Sequence, residues 1–288
     1  MYSISSGTPH DELHGMITPS DLHYERHHGG VPEIDPAQYT LLIHGVVERP
    51  MIFTLDDLKR FPAESRICFL ECSGNYFKNA ARETPPRGLA PLTSQSDWTG
   101  VPLHVLFREV RVKPEATWLL AEGQDAALMA RSILMEKALD DAMIAYARNG
   151  EAILPENGYP ARLLLPGWEG NTSVKWLRRI ELGTAPFMTR QETARYTEPL
   201  GDGRSRQFSF VMDARSLITY PGHPKVIRPG WVEIRGIAWS GLGAVDRVEI
   251  STNGGRSWEI ARLQAPVLPK AHTRFCHLWE WDGGQRSS

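Results

Sequence analysis

The sequence predicts an α+β domain followed by an all-β domain, and three observations support this division. Up to residue 189, short apolar strand patterns are mixed with short amphipathic segments, without the regular strand–helix alternation of a parallel α/β sheet. Residues 190–206 are polar and glycine-rich, and only strand patterns separated by turn residues follow them. The length of 288 residues is also typical of two domains. We therefore expect one domain at 1–205 and a second at 206–288, with 190–206 as the linker.

The N-terminal elements follow from local patterns. Residues 1–38 predict an extended polar arm, because prolines and glycines interrupt every helical period. Residues 39–45 alternate apolar side chains on one face and predict a strand. Thr54-Leu-Asp-Asp57 is typical of a capping box and predicts a short helix that ends at Phe61-Pro62. Residues 66–72 predict a strand that leads into a Ser-Gly-Asn turn.

The next elements are predicted in the same way. Apolar residues at i, i+3, i+4 and i+7 indicate an amphipathic helix at 102–110, and 117–121 has a strand pattern. Residues 143–154 predict a hairpin around the Asn149-Gly150 turn. Two further strands, 162–165 and 174–182, are expected on either side of a glycine-rich loop.

The C-terminal part predicts an immunoglobulin-like β-sandwich. Its short strand patterns lie at 231–237, 245–250, 257–263 and 274–281. Residues 207–288 number 82, fewer than the roughly 100 that such a sandwich uses. Only four residues, Gln285 to Ser288, follow the Asp282-Gly-Gly284 turn signal. We therefore expect a sandwich that is truncated at the C-terminus.

Composition excludes several classes of protein. A net charge of −2 gives no sign of a nucleic-acid-binding surface. No apolar run reaches the roughly 18 residues of a membrane span, and the N-terminus lacks the apolar core of a signal peptide. The three cysteines do not form a C-x-x-C-H site, so we expect no haem in this chain.

Cys72 is the first candidate functional residue. It lies where a predicted strand meets a glycine-containing turn, a position that leaves its sulfur accessible. A thiolate is a soft ligand, suited to copper, zinc, iron–sulfur or another thiophilic metal. The alternative is a buried cysteine that packs as a small apolar side chain.

A histidine-rich segment, Leu22-His-Tyr-Glu-Arg-His-His28, is the second candidate. His23 and His27 would share one face of a helix, which favours a metal hydrolase using His23, His27 and His28. However, Glu25 does not directly follow the first histidine, as the zinc-protease pattern requires. Arg26 would suit an oxyanion or phosphate, because a guanidinium donates two parallel hydrogen bonds. A solvated polar arm is the remaining interpretation.

Two loops that join predicted strands form the third candidate. They contain Arg162 in the first loop and Ser173 and Lys175 in the second. Backbone N–H groups together with these basic side chains would hold a phosphorylated cofactor. The alternative is that these basic residues form the solvent-exposed face of a strand.

Taken together and in this order, these motifs resemble those of the sulfite oxidase family of molybdopterin enzymes. The matching motifs are Tyr24-Glu-Arg-His-His28, Cys72-Ser-Gly-Asn75, Gly158-Tyr-Pro-Ala-Arg162, Val174-Lys-Trp176 and, in the sandwich, Val248-Glu-Ile-Ser-Thr-Asn-Gly-Gly-Arg-Ser-Trp258. Within that family, Phe69-Leu-Glu-Cys-Ser-Gly-Asn75 and Leu165-Pro-Gly-Trp-Glu-Gly-Asn171 look most like SoxC-type sulfane/sulfite dehydrogenase subunits.

The resemblance implies a role for each matching position. Cys72 would ligate molybdenum, and Arg26 would bind an anion near the metal. Trp98 and Tyr196 would also lie near the metal, with Tyr196 as a hydrogen-bond partner of the substrate-facing oxygen. The positions implied to contact molybdopterin are Tyr24, Glu25, Arg26, His27, His28, Cys72, Asp125, Asn157, Arg162, Ser173, Val174 and Lys175.

Two departures from the animal enzymes bear on the substrate. Asn157 replaces an expected histidine, and Tyr76-Phe77 replace two expected arginines. The loss of a substrate-facing arginine favours a bulkier or protein-bound sulfur compound over free sulfite, in agreement with the SoxC-type resemblance.

The resemblance further implies oxo transfer to a sulfur oxyanion or a sulfane-bearing carrier protein, with electrons passed to an external c-type cytochrome. It implies a periplasmic homodimer, or a hetero-oligomer with a cytochrome subunit. A non-catalytic β-sandwich binding protein remains the alternative that is not an enzyme.

Overall fold

The computed structural model describes residues 5–75 and 84–283. The strands in chain order are β1 (Ser5–Ser6), β2 (Glu25–Arg26), β3 (Thr40–Gly45), β4 (Met51–Thr54), β5 (Glu64–Glu71), β6 (Thr93–Pro102), β7 (Trp118–Gly123), β8 (Ala130–Leu134), β9 (Met143–Arg148), β10 (Glu151–Ala152), β11 (Arg162–Leu164), β12 (Leu177–Gly183), β13 (Glu198–Pro199), β14 (Ser205–Arg206), β15 (Arg215–Tyr220), β16 (Gly230–Trp239), β17 (Glu249–Ile250), β18 (Glu259–Ile260), β19 (Arg262–Leu263) and β20 (Thr273–Trp281). The α-helices are α1 (Leu55–Arg60), α2 (Pro86–Leu89), α3 (Leu103–Val110), α4 (Met135–Asp140) and α5 (Arg190–Ala194), and single 3₁₀ turns cover Ser20–Leu22 and Pro155–Asn157.

Two five-stranded sheets build the N-terminal part of the molecule. One is antiparallel, in the order β10-β9-β6-β5, and β11 also pairs with β9. The other is mixed, in the order β4-β3-β12-β7-β8, with β3 and β12 parallel. Apolar side chains of both sheets and of α1, α3 and α4 form one buried core. The predicted α+β class is confirmed.

Two predicted helices and the predicted hairpin are confirmed. Thr54 and Asp57 form both bonds of the capping box that begins α1. The four periodic apolar residues of α3 are all buried. In the hairpin of β9 and β10, Asn149 and Gly150 both have positive φ, as a tight turn of this kind requires.

The C-terminal strands form the predicted sandwich. The larger sheet has the order β15-β16-β20-β19, and β17 pairs with β18 in a second sheet. Ile234, Val248, Ile250 and Phe275 pack between them. The predicted strand 257–263 is interrupted at Ala261, whose N–H donates to the carbonyl oxygen of Val248, so that β18 and β19 belong to different sheets.

Two other predictions need correction. The stretch 190–206 is not a plain linker, because Thr189 and Glu192 form a capping box that begins α5, and β13 pairs with β14. The predicted strand 174–182 begins only at Leu177, because Trp176 has a positive φ of 50° and its indole Nε1–H donates to the carbonyl oxygen of Pro155.

The N-terminal arm is extended as predicted, and six of its residues are buried: Thr8, His10, Thr18, His23, Tyr24 and His27. Thr8 Oγ1 hydrogen-bonds Ser94 Oγ at 2.6 Å, and the N–H of Thr18 donates to the carbonyl oxygen of Gln95 at 2.8 Å. The arm therefore contacts β6 at Thr8 and Thr18 and is not a freely solvated segment in this part. Tyr76-Phe77 and residues 284–288, on which the predicted C-terminal truncation rests, lie outside the described residues. Among the described residues, no helix is long and apolar enough to cross a membrane.

Candidate active site: a cation-lined cavity around Cys72

A cavity of about 70 Å³ lies at the end of β5. It brings together twelve of the predicted site residues, namely Tyr24, Arg26, His27, His28, Cys72, Asp125, Asn157, Arg162, Ser173, Val174, Lys175 and Tyr196. Five further lining residues had no role assigned from the sequence: Leu70, Met129, Gly170, Asn171 and Trp176. The structure therefore brings most of the sequence-predicted site residues to one cavity.

Cys72 is presented to this cavity by a tight turn. The N–H of Cys72 donates to the carbonyl oxygen of Leu92 at 2.9 Å, which anchors the residue at the end of the sheet. The N–H of Asn75 donates back to the carbonyl oxygen of Cys72 at 2.8 Å, and the N–H of Gly74 approaches Sγ at 3.4 Å. Burial raises the pKa of the Cys72 thiol, so a bound cation would be needed to favour the thiolate.

The loop after β11 meets the end of β5 through Gly170. Its N–H donates to the carbonyl oxygen of Glu71 at 2.6 Å. A methyl group at Gly170 would lie 2.6 Å from that oxygen and 3.0 Å from the Tyr24 hydroxyl. The absence of a side chain therefore lets the two loops and Tyr24 approach each other beside Cys72.

Two buried arginines and a half-buried lysine lie close together beside the cavity. Arg162 and Lys175 line it, and Arg148 lies behind Asn157. Arg148 donates to the Asn157 side-chain oxygen at 2.9 Å, and Arg162 donates to the carbonyl oxygens of Asn157 and Ser173, both at 2.7 Å. Lys175 Nζ donates to the carbonyl oxygens of Arg26 at 2.9 Å and Glu156 at 2.7 Å.

The pKa values of these cations reflect their burial. Desolvation lowers the pKa of Arg148 and Arg162 to about 10 each and that of Lys175 to about 7. In the described part of the chain, none of the three forms an ion pair with a carboxylate, and the Nε groups of both arginines are buried without a hydrogen-bond partner. Uncompensated buried positive charge fits an anionic group such as a phosphate.

Neutral polar groups connect the cations to the N-terminal arm. His23 Nδ1 lies 2.9 Å from the carbonyl oxygen of Tyr24, which also accepts from Asn157 Nδ2 at 3.2 Å. Burial, with Arg148 and Arg162 nearby, lowers the pKa of His23 well below its ordinary value. His23 is therefore a neutral imidazole at physiological pH, and its buried Nε2 has no hydrogen-bond partner among residues 5–75 and 84–283.

The segment 23–28 does not have the helical geometry that a histidine metal site would need. Glu25 and Arg26 form β2, and no helix contains both His23 and His27. His27 Nε2 lies 2.7 Å from Glu25 Oε1, so this carboxylate is directed at His27 and Glu25 does not line the cavity. No group of three or more His, Cys, Asp and Glu side chains in 5–75 and 84–283 is arranged to hold a metal ion.

Tyr196 lines the cavity and packs on a buried arginine. The Arg131 guanidinium carbon lies 4.9 Å from the centre of the Tyr196 ring, and Arg131 Nε donates to Glu192 of α5 at 3.3 Å. Burial, followed by the nearby Cys72, raises the pKa of Tyr196 to about 12. The phenol is therefore protonated at neutral pH and available as a hydrogen-bond donor.

Three other predicted residues surround this site. Asp125 is buried, and its carboxylate accepts from the N–H of Met129 at 3.0 Å. His28 is half-buried, and desolvation together with Arg26 lowers its pKa. Trp98 is fully buried and does not line the cavity, but its ring lies 5.3 Å below the Arg162 guanidinium. Trp98 therefore supports the cation from the core side.

Comparisons with known proteins agree with this chemistry. A family model described as "Oxidoreductase molybdopterin binding domain" matches residues 28–191, and one described as "Mo-co oxidoreductase dimerisation domain" matches residues 206–282. Over 93% of its length the chain is 32% identical to an NADH nitrate reductase of Solanum lycopersicum and 33% identical to one of Hordeum vulgare. It covers 33% of each, so it spans about a third of the length of these relatives.

A solved structure matches more fully. The crystal structure of the sulfane dehydrogenase SoxCD from Paracoccus pantotrophus aligns with a TM-score of 0.93 and 45% sequence identity, over 96% of this chain and 72% of that chain. The cavity chemistry, the two family models and this structural match agree, and the chain belongs to the sulfite oxidase family of molybdopterin-binding oxidoreductases.

Proposed function

We propose that this chain oxidises a sulfur substrate, either sulfite or a sulfane sulfur held by a carrier protein, with molybdenum bound through molybdopterin. The observation that carries the proposal is the position of Cys72, which lines a cavity together with the buried Arg162 and the half-buried Lys175. The 45% identity to a sulfane dehydrogenase, against 32–33% to the nitrate reductases, favours sulfur over nitrate as the substrate.

The residues divide into two groups by position. Arg162, Ser173 and Lys175 lie on one side and would hold the cofactor phosphate through charge-assisted hydrogen bonds. Cys72 would bind the metal as a thiolate, a form that a metal cation favours. When bound, the metal would supply two-electron oxo transfer to sulfur.

The substrate side is formed by Arg26, His28 and Tyr196. Arg26 would offset negative charge on a sulfur oxyanion, and protonated Tyr196 would donate a hydrogen bond to an oxygen of the substrate. His28, neutral because its pKa is lowered, adds a polar group without a second charge. A substrate side with Arg26 as its charged group suits a bulky or carrier-bound sulfur compound better than free sulfite, which is a small dianion.

The two electrons would leave one at a time to an external c-type cytochrome. By resemblance to the sulfane dehydrogenase, we place the protein in the periplasm, in a homodimer or in a hetero-oligomer with a cytochrome subunit. The match of residues 206–282 to a dimerisation domain supports an assembly of this kind.

The test compares wild type with Cys72→Ser, both purified from a host that makes molybdopterin. We expect near-stoichiometric molybdenum and sulfite- or thiosulfate-dependent reduction of cytochrome c in the wild type, and at least a hundredfold lower activity in Cys72→Ser. Cys276→Ser is the matched control, since Cys276 is buried in the sandwich on β20, and it should retain activity.

Two results would contradict the proposal. The first is a folded wild-type protein that contains neither molybdenum nor pterin. The second is a loaded protein that reduces nitrate with an artificial electron donor but oxidises neither sulfite, thiosulfate nor a carrier persulfide.

A further inference from the structure

Glu71, the residue before Cys72, is completely buried at the boundary between the N-terminal sheets and the sandwich. Its side chain points away from the cavity and does not line it. One carboxylate oxygen accepts from Asn75 Nδ2 at 2.8 Å and from Arg215 Nη1 at 3.0 Å. The other oxygen accepts from Trp239 Nε1 at 2.6 Å.

Both sandwich donors come from a single place in the larger sheet. Arg215 of β15 and Trp239 of β16 are cross-strand partners, so the ladder between these strands fixes their spacing. The Glu71 carboxylate accepts hydrogen bonds from the Arg215 guanidinium and the Trp239 indole. It is held in one orientation, because a rotation would break both hydrogen bonds.

The same arginine also holds the far end of the Cys72 turn. Arg215 Nη1 donates to the carbonyl oxygen of Asn75 at 3.0 Å. The Asn75 side chain accepts from the N–H of Leu92 at 2.8 Å, and the carbonyl oxygen of Cys72 accepts from the N–H of Asn75 at 2.8 Å. Residues 71 and 75 are therefore both bonded to one sandwich side chain, with Cys72 between them.

We propose that the sandwich fixes the position of Cys72 through Glu71, with Glu71, Arg215 and Trp239 as positioning residues for the metal-ligand turn. The inference rests on the proposed function only in assigning Cys72 as the metal ligand. It gives the C-terminal part a role in the active site that is separate from assembly, since none of these contacts needs a second subunit.

The first test uses the full-length chain from a host that cannot make molybdopterin, so that Cys72 is free. The rate of Cys72 alkylation by iodoacetamide is followed by tandem mass spectrometry, whose fragment ions separate Cys72 from Cys68 on the same tryptic peptide. Trp239→Phe and Glu71→Gln should each raise this rate about tenfold, the factor expected when one charge-assisted hydrogen bond worth about 1.4 kcal/mol is lost. Trp258→Phe, at an exposed tryptophan of the same sandwich, is the control and should match wild type.

A second measurement separates positioning from general destabilisation. Arg215→Lys keeps a donor and should retain a slow alkylation rate, whereas Arg215→Met should not. In molybdenum-loaded protein, Trp239→Phe should shift the Mo(V) electron paramagnetic resonance signal, whereas Trp258→Phe should not.

Wild-type alkylation rates in folded Trp239→Phe and in Arg215→Met would overturn the proposal. If Glu71→Gln does not fold, the milder Trp239→Phe and the Arg215 pair decide the question. Because alkylation is measured without metal or substrate, this outcome is independent of whether the enzyme oxidises sulfur.

Discussion

Lys175 carries the most strongly perturbed cation of the cavity. Within the described part of the chain its Nζ donates only to backbone carbonyl oxygens, and it lies 4.3 Å from the centre of the Trp176 ring. Burial followed by repulsion from Arg162 lowers its pKa to about 7. Keeping this amine charged costs free energy in the cofactor-free protein. An anionic group bound beside it would stabilise the charged form.

This pKa makes a prediction about stability. Between about pH 7 and 10 the unfolded chain keeps the Lys175 proton while the folded, cofactor-free chain has lost it. The unfolded state therefore binds more protons, and the free energy of unfolding rises with pH across this window. Lys175→Met should remove a rise on the order of a few kcal/mol, measured by urea denaturation at several pH values.

Lys113→Met, at an exposed lysine, is the control for this prediction and should leave the pH dependence as in wild type. In the presence of molybdopterin the rise should shrink, because a phosphate stabilises the charged amine. If the free energy of unfolding changes with pH in the same way in wild type and Lys175→Met, burial does not lower the pKa of Lys175 and the prediction is wrong.

At the scale of elements, the short helix α5 determines how Tyr196 reaches the cavity. Glu192 of α5 is fully buried and accepts from the N–H of Ser132, from Arg131 Nε and from its own capping residue Thr189. Removing this carboxylate would leave Arg131 without a charged partner in α5 and release the first turn of the helix.

Glu192→Ala should therefore destabilise the protein by about 3 kcal/mol or more, as expected when a buried ion pair loses one partner. Thr54→Ala, at the exposed capping box of α1, should cost only about 1 kcal/mol. Urea denaturation of both variants makes the comparison. Equal losses would mean that the Glu192–Arg131 pair adds nothing beyond the helix cap.

Strand β6 shows why some elements escaped prediction. Its residues Thr93, Ser94, Gln95 and Ser96 are all fully buried, although their polarity is typical of a loop. Thr93, Ser94 and Gln95 hydrogen-bond distant groups, including the arm residue Thr8 and the His272 side chain. A local sequence pattern does not show which distant groups will bind these polar side chains. By contrast, neighbouring residues specify the amphipathic α3 and the Asn149-Gly150 turn, and both were predicted.

At the scale of the whole molecule, His272 lies where the arm, the sheets and the sandwich meet. Its ring stacks on Phe69 at 5.8 Å, tilts against Trp239 at 5.1 Å and contacts the edge of His10 at 5.9 Å. Thr93 Oγ1 lies 2.9 Å from His272 Nε2. Burial, followed by His10 and Arg274, lowers the pKa of His272 well below its ordinary value.

The two histidines make this junction sensitive to acid. Burial lowers the pKa of His10 to about 4, so between about pH 6.5 and 4 the unfolded chain takes up protons that the folded chain excludes. The free energy of unfolding should therefore fall as the pH drops through this window. His272→Gln, which keeps a hydrogen-bonding group for Thr93, should reduce the slope measured by denaturation at pH 4.5 to 7.

His14→Gln, at an exposed histidine, should leave that slope unchanged. If the free energy of unfolding falls equally steeply with pH in His272→Gln and wild type, His272 is not the source of the acid sensitivity. Trp239 also donates a hydrogen bond to Glu71. If acid loosens the packing around His272, the alkylation rate of Cys72 should therefore rise at a higher pH than the one at which the protein unfolds.

The sequence by itself determined the α+β class, the sandwich, the capped helix α1, the amphipathic helix α3 and the motifs that placed Cys72, Arg26, Arg162 and Lys175 in one family. These features depend on near neighbours or on a fixed order of short motifs. Only the tertiary structure decided that Glu25 binds His27, that Trp98 lies beneath Arg162, and that α5 brings Tyr196 to the cavity. It alone showed that Arg215 and Trp239 bind Glu71, since these contacts join residues 144 and 168 positions apart, and no local pattern specifies which distant donor will reach a buried carboxylate.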